Sequence, residues 1–146
     1  ANLVGSTCFS YPTAGVDHFC AADGKPIHMI WIRNGTTFLN TVVGMFGSVI
    51  GSSGFETVMP QAIAAAPDCG GLIALPFMDD EPGLQVKEGG TALITGWNPT
   101  NATAGNAAKA ALLAPMYNLK LGLAALQEQD GTPRTRIILT GGLTKT

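Results

Sequence analysis

Two apolar, β-rich runs, Val16 to Ala21 and Pro26 to Arg33, are separated only by Ala22-Asp23-Gly24-Lys25. So short a spacer points to an antiparallel hairpin, and Asp-Gly supplies the positive-φ residue that a tight turn needs. Leu3 to Phe9 reads as a third strand of the same antiparallel unit. The period then changes. In Asn34-Gly35-Thr36-Thr37, either Asn34 or Thr36 can cap a helix carrying Phe38, Val42, Met45 and Phe46. Glycines 44, 47, 51 and 54 leave the end of that helix open, and Glu56 to Ala66 reads as a second helix stopped by Pro67.

Gly71 to Phe77 is a fully apolar run of the kind expected in a buried strand. Met78 to Gly90 turns polar and acidic and reads as an exposed, mobile loop, with Thr91 to Thr95 a further strand. Thr103 to Gln129 is the longest helical pattern, with Leu112, Met116, Leu119, Leu123 and Leu126 at spacings of three and four. Pro115 removes a backbone donor inside it and predicts a kink or a short initial segment. Arg134 to Thr140 reads as a closing strand. The order implies an α/β layout, antiparallel at its start and with parallel crossovers later. No repeat or linker divides it.

With 46% hydrophobic and 12% charged residues, the chain can bury a core and is not intrinsically disordered. Its 8 basic against 10 acidic residues leave no electrostatic footprint for nucleic acid or an anionic membrane. No apolar run approaches the roughly 20 residues that span a bilayer, and the start lacks the pattern of a secretion signal. The chain begins without Met inside an apolar stretch. It stops at Gly141-Gly142-Leu143-Thr144-Lys145-Thr146, where a strand would normally lead into a helix, so it is expected to be part of a longer protein.

Cys8, Cys20 and Cys69 are an odd number at unmatched spacings, which favours a reducing compartment over a disulfide framework. His18, Cys20 and His28 make no convincing metal set. The sequons at Asn34 and Asn101 are too short a match to carry glycosylation. Trp31 and Trp97 read as core or loop-packing residues. Asp79, Asp80 and Glu81 are consecutive on a loop and read as a solvent-facing group, not a metal site. A strand running into Gly141-Gly142, and another running into Asn34-Gly35-Thr36, are recipes for anion or nucleotide approach. Neither is a Walker loop or a full Gly-x-Gly-x-x-Gly, and turn geometry alone accounts for each glycine equally well.

Taken in order, these segments resemble the second domain of the FGGY-family carbohydrate kinases, the group of xylulokinase, ribulokinase and glycerol kinase. Ile137-Ile138-Leu139-Thr140-Gly141-Gly142-Leu143-Thr144-Lys145-Thr146 is similar to the family's adenosine motif. Gly70-Gly71-Leu72-Ile73-Ala74-Leu75-Pro76-Phe77 is similar to its "GLLFLPYL" strand. Val16-Asp17-His18-Phe19-Cys20, Ile27-His28-Met29 and Asn34-Gly35-Thr36-Thr37-Phe38-Leu39 follow its hairpin and helix start.

There are departures. Met78-Asp79-Asp80-Glu81-Pro82-Gly83 stands where the family usually has Gly-Glu-Arg, keeping an acidic residue and losing the arginine. Ala108-Lys109-Ala110 stands where the family has Ala-Arg-Ala.

The resemblance implies a ribonuclease H-like (actin-like ATPase) fold, here incomplete: a mixed sheet with helices on both faces. It also implies that residues 1–146 are part of the C-terminal, nucleotide-facing domain of a cytoplasmic kinase that transfers the γ-phosphoryl group of ATP, with Mg²⁺, to a hydroxyl of a sugar or polyol of xylulose or ribulose type. Gly141 and Gly142 would lie against adenosine and Gly35 would form the facing wall, with Lys145 and Thr146 as polar contacts. No catalytic or metal-binding residue is expected within this chain, since the catalytic base would lie in an N-terminal domain that precedes Ala1. Association as a homodimer is left open. The alternative is a non-catalytic actin-like nucleotide-binding or interaction domain.

Overall fold

The computed structural model describes residues 2–4, 14–131, 133–138 and 140–141. The predicted hairpin forms, with β2 (Val16–Cys20) antiparallel to β3 (Pro26–Ile30). At its tip Gly24 takes φ +82°, while the Ala21 and Gly24 N–H groups donate to the Lys25 and Ala21 carbonyls at 2.8 and 2.9 Å. Of the third strand expected over Leu3 to Phe9, residues 5–9 lie outside the described residues; β1 (Asn2–Val4) pairs with the other edge of β3, giving the order β1-β3-β2. The central β3 buries His28 and Ile30, whereas the edge strand β2 buries only Val16.

Three helices follow: α1 (Thr37–Ile50), α2 (Phe55–Ala64) and α3 (Ala104–Asp130). The glycine-rich stretch that left the end of α1 open is a tight reversal. Gly51 caps α1 at φ +75°, Gly54 starts α2 at φ +79°, and the two axes bend by 119°. Their shared core joins Phe38, Leu39, Val42 and Val43 to Val58, Met59 and Ala62, sealed by Ala107, Ala108 and Ala111 of α3.

Small residues bring α3 close to α2. A Cβ at Gly105 would lie 2.6 Å from the Gln61 carbonyl oxygen. Thr103 caps α3 by accepting from the Asn106 N–H at 3.1 Å. Lys109 donates to the Ile63 and Ala65 carbonyls at the C-terminus of α2, groups that a helix end leaves unsatisfied. The helix runs through Pro115 as one element of 27 residues, so the expected short initial segment is not formed. Farther along, Leu123 and Leu126 pack on Val16 and Ile30, joining the hairpin to α3.

Three expectations are corrected. The apolar run from Gly71 yields β4 (Ile73–Leu75), which pairs antiparallel with β5 (Leu93–Thr95) in a separate two-stranded ribbon. This strand is not buried, because only Ala74 and Ile94 face the core. Ile73, Leu75 and Leu93 remain 64%, 41% and 44% exposed, with no layer of described residues over them. Among the described residues there is no parallel pairing. Of the expected mixed sheet with helices on both faces, the described residues form two small antiparallel sheets beside the helices. Residues 133–138 belong to neither sheet, since strand geometry persists only where a neighbouring strand accepts its ladder of hydrogen bonds.

A candidate nucleotide-facing wall and the loop that holds it

Of the five residues singled out for nucleotide contact, Gly142, Lys145 and Thr146 lie outside the described residues. Gly141 takes φ +101°, a backbone that side chains rarely adopt, and nothing among the described residues lies within 4 Å of where its Cβ would stand. Gly35 sits in the turn between β3 and α1. A Cβ there would meet only Ile32, at the ordinary distances of 3.5 and 3.9 Å, and its φ is not positive. Turn geometry therefore accounts for glycine at 141 but not at 35. The two lie on separate segments, and neither packs on the Cβ side of the other.

The helix that Gly35 leads into is uncapped by side chains. Thr36 occupies the N-cap position without a cap hydrogen bond, and the first turn carries no acidic residue. Asn34, the other expected cap, is fully buried and committed elsewhere. Its Nδ2 donates to the Asp79 carbonyl at 3.1 Å, the Asp80 carbonyl at 3.3 Å and Glu81 Oε2 at 3.1 Å, while its Oδ1 accepts from the Asp79 N–H at 2.9 Å.

The acidic loop thus departs from the solvated group expected of it. Glu81 is completely buried; Oε1 accepts from the Arg33 N–H at 2.8 Å and Oε2 from the Asn34 N–H at 3.0 Å. Asp80 instead pairs with the Arg33 guanidinium near the surface. Among the described residues no group of three or more His, Cys, Asp or Glu could hold a metal ion. The local sequence signals only a run of acids. The sequence separation of 47 between Asn34 and Glu81 hid the partnership.

Other polar groups are explained by packing. The sequon residues Asn34 and Asn101 are 0% and 4% exposed, and Asn101 Nδ2 donates to both Gly70 and Gly96 carbonyls at 2.9 Å. Neither amide is open to glycosylation in the folded chain. Trp31 and Trp97 are half-exposed instead of core, and their indole N–H groups donate to Asp17 Oδ2 at 2.5 Å and the Ile94 carbonyl at 2.9 Å. His18 and His28 face each other across the hairpin with Nδ1 atoms 2.8 Å apart. That pairing was legible, since the two are equidistant from the Asp23 turn. A cavity of about 100 Å³ between the hairpin and α3, lined by Ile30, Trp31, Asn118 and Leu121 among others, is far below the roughly 300 Å³ at which ligand pockets begin.

No family model matches the sequence, and no curated protein matches it. Solved structures do. The chain is similar to xylulose kinase from Bifidobacterium adolescentis with a TM-score of 0.79 at 22% identity, covering 99% of this chain and 27% of that one. It is likewise similar to xylulose kinase from Rhodospirillum rubrum with a TM-score of 0.75 at 17% identity, covering 99% and 28%. The fold is therefore that of a part of these xylulose kinases, and the chain spans little more than a quarter of their length.

Proposed function

We propose that this chain is the C-terminal, nucleotide-facing part of an ATP-dependent sugar kinase. The observation that carries the reading is the match of 99% of the chain to a share of two xylulose kinases. In this reading Gly141 and Gly142 lie against adenosine, Gly35 forms the facing wall, and Lys145 and Thr146 add polar contacts. That nothing among the described residues lies within 4 Å of a Cβ at Gly141 is compatible with close approach of a ligand to the backbone. The acceptor is a hydroxyl of a sugar or polyol of xylulose or ribulose type, and the setting is the cytoplasm.

Phosphoryl transfer of this kind depends mainly on positioning and charge neutralisation, the latter supplied by Mg²⁺ bound to the phosphates. Glu81 and Asp80 of this loop do not fit that ion. Glu81 is filled by N–H donors and Asp80 by Arg33. The role of these residues is to shape the wall. The base that takes the hydroxyl proton belongs to the N-terminal domain of the longer protein.

The test has two arms. The 146-residue chain alone should transfer no phosphoryl group from ATP to xylulose or ribulose, and the longer protein carrying it should. In that longer protein, Gly141→Val should raise the KM for ATP about tenfold or more, a loss of roughly 1.4 kcal/mol, and leave the KM for sugar nearly unchanged. A general drop in thermal stability with no selective effect on ATP would reduce Gly141 to a turn residue. Nucleotide binding by the longer protein without transfer to any sugar would favour the non-catalytic alternative.

A further inference from the structure

Glu81 is a carboxylate removed from solvent, and the hydrogen bonds it accepts from Arg33 and Asn34 come from the turn that carries Gly35. That turn lacks the usual means of holding itself. Thr36 makes no cap bond, Gly35 has no neighbour but Ile32 within 4 Å of its Cβ position, and Asn34 is drawn away into the loop. The two carboxylate oxygens act on different residues. Oε1 holds the Arg33 N–H, and Oε2 holds both the backbone and side-chain N–H groups of Asn34. The orientations of the Ile32–Arg33 and Arg33–Asn34 peptide units, which lead into Asn34 and Gly35, are therefore set from a distant loop.

The chemistry calls for a carboxylate. It accepts on both oxygens and donates on neither, whereas the amide of glutamine would turn an NH₂ toward an N–H donor. The Arg33 guanidinium does not compete for it, because that side chain turns to Asp80 and only the Arg33 backbone is offered to Glu81. Asn34 completes the lock in the opposite direction by holding the Asp79 backbone.

We propose that Glu81 is a positioning residue for the nucleotide-facing wall: through Arg33 and Asn34 it fixes the backbone of Gly35 in the place where ATP would meet it. The inference rests on the reading of Gly35 as part of that wall.

The experiment titrates ADP, to about 10 mM, into the ¹⁵N-labelled longer protein that carries this chain, and follows the amides of Gly35 and Gly141. Glu81→Gln and Glu81→Ala are compared at a temperature where circular dichroism finds each folded. The expected result is a Kd for ADP raised about threefold by Glu81→Gln and about tenfold by Glu81→Ala. Faster hydrogen exchange at the Arg33 and Asn34 amides should accompany it. A merely structural role would lower the melting temperature and leave the ADP affinity of the folded variants unchanged, and that outcome overturns the proposal while the nucleotide reading stands. If the unsubstituted longer protein gives no ADP-dependent shift at Gly35 or Gly141, the nucleotide reading fails and takes the proposal with it. Should Glu81→Ala not fold, Glu81→Gln decides the matter alone.

Discussion

The helical core and the β4–β5 ribbon are built from equally apolar sequence and end in opposite environments. Val42, Val43, Val58 and Ala108 are sealed between three helices, while Ile73, Leu75 and Leu93 stand in the open on a two-stranded ribbon. The difference lies in what the rest of the described chain offers. Each helix finds two partners with complementary apolar faces. The ribbon finds the core on one face only, through Ala74 and Ile94. Apolarity states what a segment would gain from burial; it does not provide the surface that buries it.

The largest test of this contrast is a charge in the sealed core. Val43→Asp would bury a carboxylate with no donor designed for it and should cost about 4 kcal/mol or more, read by urea unfolding followed by circular dichroism. A loss under about 1 kcal/mol would mean that this core is not packed as described. Next comes the approach of α2 to α3. Gly105→Ala drives a methyl to within 2.6 Å of the Gln61 carbonyl, backbone that cannot easily give. The expected cost is about 2 kcal/mol by the same urea unfolding, against the slight gain usual for this exchange in a helix. Lys109→Met keeps the side-chain stem and removes the cation that satisfies the α2 carbonyls, for an expected loss of about 1 kcal/mol.

A subtler effect depends on pH. Burial pushes the Cys69 thiol above its ordinary 9.0. The neutral thiol is favoured in the folded chain, so its contribution is intact below about 9.0 and declines as pH rises beyond that value, where the unfolded chain deprotonates first. Comparing melts near pH 8 and pH 10 with those of Cys69→Ala should reveal a decline that the variant lacks. Exposed Cys20 should also be alkylated well before Cys69 at neutral pH. The smallest effect belongs to the ribbon: Ile73→Thr keeps the β-branch and should move stability by no more than about 0.5 kcal/mol in this chain. A loss like that at Val43 would show that something covers the exposed face.

Local chemistry was legible from the sequence alone. Asp23-Gly24 specified the hairpin because few residues accept the backbone of a tight turn, and the hairpin in turn set the register that faces His18 with His28. Periodicity placed three helices, and Thr103 marked the start of the longest, since each depends on neighbours within a few positions. Distant relationships were out of reach. That Asn34 would forgo capping for a loop, that Glu81 would lie buried beside a more exposed Asp80, and that Lys109 would close α2 are all choices among partners distant in sequence. Only the tertiary structure selects such partners. A polar group taken out of water must find a donor or acceptor wherever the packed chain presents one, and no local pattern of residues encodes where that will be.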